Sequence, residues 1–70
     1  MKIKFSKHFY KKEAIINAKK AYEEAGVGSF EVVDKDGDIE VTAQGINKEA
    51  KEFVKKEFNN YVLSEMKELI

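Results

Sequence analysis

The sequence predicts a two-layer α+β domain, with a three-stranded antiparallel sheet in the order 1-3-2 and two helices on one of its faces. Three observations predict it. The stretch KIKFS, residues 2–6, alternates polar and apolar residues. Two longer runs, 11–25 and 48–70, repeat apolar residues at helical spacing. Between them, two β-rich stretches flank an Asp-Gly pair.

In the first stretch Ile3 and Phe5 point to one side, and Lys2, Lys4 and Ser6 to the other, as in a half-buried strand. Ala14, Ile15, Ala18, Ala21, Tyr22 and Ala25 then fall at i, i+3, i+4 and i+7, and Gly26 supplies a helix stop. Phe30, Val32 and Val33 precede Asp36-Gly37, and Ile39, Val41 and Ala43 follow it. That pair suits a two-residue type I′ hairpin turn. Asn47 is placed to N-cap the last helix, and Ile46 to staple against Ala50 or Lys51. The last helix is expected from Lys48 to near Ile70, with a stripe of Ala50, Phe53, Val54, Phe58, Tyr61, Val62, Met66 and Leu69.

The order is thus β-α-β-β-α. A β-α-β unit can leave a gap that the third strand fills, as in a ferredoxin-like fold that lacks its fourth strand. The first strand is then an open edge. Open edges recruit other chains unless blunted, which predicts a homodimer, formed through sheet edges or through helices.

Seventy residues form a single domain, 1–70. A chain this short buries only about 60% of its unfolded surface. It has no cysteine and one histidine, His8, so neither disulfides nor a thiolate or histidine metal site is expected, and no cofactor. The opening MKIKFSKHFYKKE lacks the apolar stretch of a signal peptide. No apolar run reaches the ~20 residues of a membrane span, and a cytoplasmic location is expected. Thirteen lysines balance thirteen acids, with no arginine. Arginine is the usual residue for bidentate reading of phosphate or guanine, so nucleic acid is the lesser partner class. Zero net charge favours self-association.

Four stretches invite chemistry. The acidic DKDGDIE, residues 34–40, has the spacing of the first three calcium-loop ligands, but its glycine sits at the fourth place and not the sixth; it reads as a polar turn. His8 has no Ser-His-Asp or Cys-His set around it, so no catalytic residue is assigned and no enzyme activity is expected. Gly26-Val27-Gly28 follows a helix and precedes a strand, the reverse of a dinucleotide loop. Lys2, Lys4, Lys7, Lys11 and Lys12, interleaved with Phe5, Phe9 and Tyr10, make the case for a nucleic-acid-binding module on the lysine-rich first strand.

The fifth stretch is EFNNYVLSE, residues 57–65. Asparagine is a mediocre helix former because its amide competes for backbone hydrogen bonds, yet two stand side by side here. The stretch resembles the C-terminal signature Leu-Leu-Asn-Asp-Tyr-x-Leu-Arg-Glu of the HxsD family, the small proteins of His-Xaa-Ser systems. Asn59, Tyr61, Leu63 and Glu65 match directly, four of eight specified positions. Phe58 stands for the second leucine, Glu57 for the first, Asn60 for the aspartate and Ser64 for the arginine. The chain's size, element order and acidic turn fit as well.

The resemblance implies an accessory, non-catalytic protein that works beside a radical S-adenosylmethionine enzyme on a His-Xaa-Ser repeat peptide. It would bind the enzyme, the peptide or both. Asn59, Asn60, Tyr61 and Glu65 are the candidate partner-binding residues. An open sheet edge could capture such a peptide by strand addition.

Overall fold

The computed structural model describes residues 1–69. The elements are β1 (Lys2–Ser6), α1 (Lys12–Glu24), β2 (Ser29–Asp34), β3 (Asp38–Gln44) and α2 (Lys51–Glu68), the last entered through a 3₁₀ turn at Lys48–Ala50. The sheet is antiparallel in the order β1-β3-β2, as the sequence predicts.

Strand parity decides the layers. Ile3 faces Val41 and Phe5 faces Ile39 between β1 and β3, and Phe30 faces Ala43 between β2 and β3. All six are buried, together with Ala14, Ile15 and Ala18 of α1 and Phe58 and Val62 of α2, in a single cluster. Both helices therefore cover one sheet face. Each large apolar side chain buried here contributes roughly 1.5–3 kcal/mol. The aromatic rings form its centre. Phe58 stacks on Phe30 (centroids 5.2 Å apart, planes 10° apart) and meets Tyr22 edge-on at 5.2 Å. The fully buried Ala14 and Ala18 let α1 approach α2 closely.

The helix stop after α1 is a Schellman motif. Val27 N–H donates to Tyr22 O (3.1 Å), Gly26 N–H donates to Glu23 O (3.0 Å), and Gly26 has φ +74°. Asn47 accepts from Glu49 N–H through its side chain (3.0 Å), so it caps the 3₁₀ turn that leads into α2. Ile46 leans over Gly28, whose missing Cβ leaves the room it needs.

Two local expectations are corrected. Asp36 and Gly37 do form the turn, closed by Lys35 N–H donating to Asp38 O (2.8 Å), but neither has positive φ, so it is not type I′. The reason lies just past β1: Lys7 N–H donates to Gly37 O (3.1 Å), and this bond aims the Gly37 carbonyl at the neighbouring chain segment. Phe53, expected in the buried stripe, is 68% exposed. It lies about 140° around α2 from Phe58, too far round to reach the core. The expected end of this helix at Ile70 lies outside the described residues.

Candidate functional site: an open strand edge and the α2 signature

Both β1 and β2 are edges, and their free groups follow from the ladder. Met1 and Ala43 exchange two backbone bonds (2.8 and 3.2 Å), and Lys7 bonds Gly37. In an antiparallel pair such residues alternate with residues whose N–H and C=O point away. Lys2, Lys4 and Ser6 therefore turn their backbone groups outward. The Ser6 carbonyl is used locally, accepting from Phe9 N–H (3.1 Å) and Tyr10 N–H (2.9 Å). Among the described residues, no hydrogen bond takes the outward groups of Lys2 and Lys4.

The β2 edge is treated differently. By the same alternation Phe30, Val32 and Asp34 face outward, and Phe30 N–H donates to Glu23 Oε2 of α1 (2.9 Å). That bond, with Lys19 beside it at 2.9 Å, holds the Glu23 carboxyl below its usual range. One outward donor of β2 is thus taken by α1, while the outward backbone groups of Lys2 and Lys4 in β1 have no such partner among the described residues.

The open face of the sheet is a charge lattice centred on Glu40. Its side chain is 8% exposed and accepts ion pairs from Lys2 (3.6 Å) and Lys35 (3.4 Å). Burial pushes its pKa up, but the two ammonium groups outweigh this and leave it below the ordinary value. At the far end of β2, Lys7 and Lys12 both pair with Asp34 and lower its pKa through hydrogen bonds. Asp34, the first residue of the acidic stretch, is therefore neutralised by two lysines. His8 is exposed, its ring edge-on to Phe9 at 5.6 Å. Among the described residues no three His, Cys, Asp or Glu side chains are grouped to hold a metal ion, and no helix is long and apolar enough to cross a membrane.

The α2 signature does not form one face. At about 100° per residue, Asn59 and Tyr61 lie about 160° apart around the helix. Asn59 Nδ2 donates back to Lys55 O (2.9 Å), and Asn60 Nδ2 reaches Glu57 Oε2 (3.4 Å), so both amides are used within their own helix. Glu65 turns toward α1 and accepts from Asn17 Nδ2 (3.0 Å). Tyr61 packs edge-on against Tyr22 (5.8 Å) and stays 37% exposed, on the wall of a groove between the helices. Tyr61 and Glu65 are brought to the α1 side; Asn59 and Asn60 are turned away from it.

Sequence reasoning missed two parts of this surface. The Glu23 cap on β2 had one visible signal, the Lys19–Glu23 spacing on a helix that ends just before a strand. The groove beside Tyr61 had another, the alanines at 21 and 25 opposite the large Phe53. Compared with protein-family models, curated proteins and solved structures, the chain matches none, so its site rests on its own residues.

Proposed function

We propose that the chain is a non-catalytic accessory protein that captures an extended peptide by adding it as a strand to β1. The observation that carries this reading is the pair of unpaired outward N–H and C=O sets at Lys2 and Lys4. In strand addition the main-chain bonds supply affinity and the side chains on alternate faces supply selectivity. The resemblance of residues 57–65 to the HxsD signature supports assigning the peptide to a His-Xaa-Ser maturation system served by a radical S-adenosylmethionine enzyme. Asn59 and Asn60, which lie away from α1 and bond only within their own helix, are then the α2 residues left for the enzyme while β1 holds the peptide.

The edge also favours a foreign strand over a second copy. Antiparallel self-pairing of β1 would match its even residues with each other, and in the registers centred on Ile3 or Lys4 a lysine would oppose a lysine. Like charges directly opposite are destabilising. A nucleic acid is less well served, because Phe5 is buried beneath the helices and not on the open sheet face, leaving that strand no ring on which to stack a base.

The test uses a synthetic peptide of three His-Xaa-Ser repeats. On saturation, the amides of Lys2 and Lys4 should gain hydrogen-exchange protection, and Lys4→Pro should weaken binding at least about tenfold, the cost of roughly one to two backbone bonds. Proline removes only an outward N–H there, so the sheet ladder should survive. Peptide binding that leaves both amides exchanging freely would end the strand-addition reading. Tight binding of a single-stranded oligonucleotide that falls steeply with salt, with none of the peptide, would replace it with the nucleic-acid module.

A further inference from the structure

We propose that the groove between α1 and the first half of α2 receives a lysine or arginine side chain from a partner protein, with its stem along the apolar walls and its cation at Glu57. This surface is separate from the β1 edge, and nothing in the strand-addition reading requires it.

The groove exists because α1 presents alanine at 21 and 25 where α2 presents Phe53, Glu57 and Tyr61, leaving about 340 Å³ between them. Ala25, Val27 and Phe53 make an apolar floor and wall. The wall is fixed in advance. Tyr22 is held edge-on by three rings, Phe30 at 5.9 Å, Phe58 at 5.2 Å and Tyr61 at 5.8 Å, and the Schellman turn places Val27 against it. Such preorganisation lowers the entropy lost on binding.

One charged group faces this apolar space. Glu57 is half-buried, and its described hydrogen-bond partner is the Asn60 amide at 3.4 Å on its own helix. Glu23, Asp34 and Glu40 each pair with a lysine, and the half-buried Glu65 is bonded by Asn17 of α1; among the described residues no ion pair or hydrogen bond joins Glu57 to another element. Its field is felt in the groove, because burial, then Glu57, then Tyr61 raise the Tyr22 phenol pKa.

This charge selects the occupant. A purely apolar segment would strip water from the Glu57 carboxylate and give nothing back. A cation restores the lost hydration, and the faces of Tyr61 and Phe53 attract it further. The long stems of lysine and arginine cover apolar wall while keeping the charge at its end. Phe53, at 68% exposure, needs cover that a free cation cannot give, so the side chain arrives on a protein that also shields this ring.

The probes are the capped tripeptide Ac-Leu-Arg-Ala-NH₂, its citrulline counterpart, which is neutral and nearly isosteric, and free agmatine. Each is titrated by NMR against the wild-type chain and Glu57→Gln. The expected result is saturable shifts at Ala25, Val27 and Phe53, with the arginine peptide binding at least about fivefold tighter than the citrulline one. Glu57→Gln should remove that difference and leave the citrulline peptide unchanged. Equal binding of the two peptides would overturn the proposal, as would a preference that survives Glu57→Gln, or shifts away from the groove. Agmatine binding tighter than the arginine peptide would also overturn it, in favour of a free cationic ligand. Glu57→Gln removes no described hydrogen bond or ion pair to another element, so its fold, checked by the same spectra, does not confound the reading.

Discussion

Asn17 donates its side-chain amide to Glu65 across 3.0 Å, and this bond joins α1 to α2 beside the core. Both residues are half-buried, so the bond is partly shielded from water. One member of the α2 signature, Glu65, therefore has a definite structural task. Replacing Asn17 or Glu65 by alanine should each cost about 1 kcal/mol, and the double mutant should show a coupling of roughly 0.5–1.5 kcal/mol. Asn59→Ala and Asn60→Ala should behave in the opposite way. Their amides bond only within α2, and alanine is the better helix former by a few tenths of a kcal/mol. Urea denaturation of the five variants separates the two outcomes. A marked loss of stability in Asn59→Ala would contradict the local bonding seen here.

Gly28 is required by contact and not by backbone conformation. A Cβ there would stand 2.6 Å from Gln44 O and 2.7 Å from Ile46 Cδ1. The oxygen belongs to the backbone at the end of β3, next to the β2 edge, and cannot swing aside. Gly28→Ala should therefore lower stability by about 1–3 kcal/mol, in the range of overpacked sites. Gly37→Ala meets nothing within 4 Å and has no positive φ, so it should be neutral or slightly stabilising through the unfolded chain. Thermal melts of the two variants, compared side by side, check the contrast.

These cases mark what the sequence carried. Parity in KIKFS and in the hairpin set the sheet's faces, and the gap rule set the strand order, because period-2 burial admits few alternatives. Gly26 and Asn47 announced their caps because those conformations favour few residues. The turn type at Asp36-Gly37 was not legible, since a bond from Lys7, thirty positions away in sequence, decides it. Phe53 was misplaced for a related reason. Apolar character at roughly helical spacing does not say how wide a stripe the sheet can cover, and a three-stranded sheet covers little. At the candidate site, the open edge was legible from topology. The division of the signature between Glu65, tied to Asn17, and Asn59, turned away, depends on where α1 lies across α2, which no local pattern encodes.

Acid should weaken the fold through its paired carboxylates. Hydrogen bonds from Lys7 and Lys12 hold Asp34 below its ordinary 3.8. At Glu40 burial works against ionisation, yet Lys2 and Lys35 leave it below 4.5. A carboxyl whose folded pKa is depressed contributes stability above its unfolded pKa, and this is lost as pH falls through the folded value. The melting temperature should therefore stay level down to about pH 5 and fall below about pH 4, as carboxylates of the unfolded chain take up protons first. Asp34→Asn should lower stability at neutral pH and flatten that fall. A wild-type melting temperature that rises on acidification would reverse the sign argued here.

Two phenylalanines five positions apart on α2 should respond oppositely to truncation. Phe58 has no exposed surface and touches the rings of Phe5, Phe30 and Tyr22. Phe58→Ala should cost about 3–5 kcal/mol, enough to unfold a domain whose whole stability is of that order. Phe53→Ser removes an exposed ring and should change stability by no more than about 0.5 kcal/mol. Circular dichroism melts read both. A Phe53→Ser variant as unstable as Phe58→Ala would mean that α2 is rotated from the position described.

The lysines of β1 serve as guards of its edge as well as partners of Glu40. Lys2 pairs with Glu40 at 3.6 Å, but Lys4, directly opposite Glu40 in the register, has no ion pair among the described residues. In the antiparallel β1–β1 registers centred on Lys2, Ile3 or Lys4, lysines would stand directly opposed, and that repulsion resists self-pairing. Replacing both by threonine removes the repulsion, retains strand propensity and leaves the outward backbone groups in place. The double variant Lys2→Thr, Lys4→Thr should therefore self-associate at lower concentration than the wild type. Static light scattering across a concentration series reads the change, and hydrogen exchange locates it, since the amides at positions 2 and 4 should become protected as the mass rises. Lys2→Thr combined with Lys4→Pro in place of Lys4→Thr should keep the wild-type mass, because proline withdraws a donor from the new ladder. A double variant that keeps the wild-type mass at every concentration would show that charge is not what keeps this edge free, and the protection of β1 would have to be sought in its shortness and twist instead.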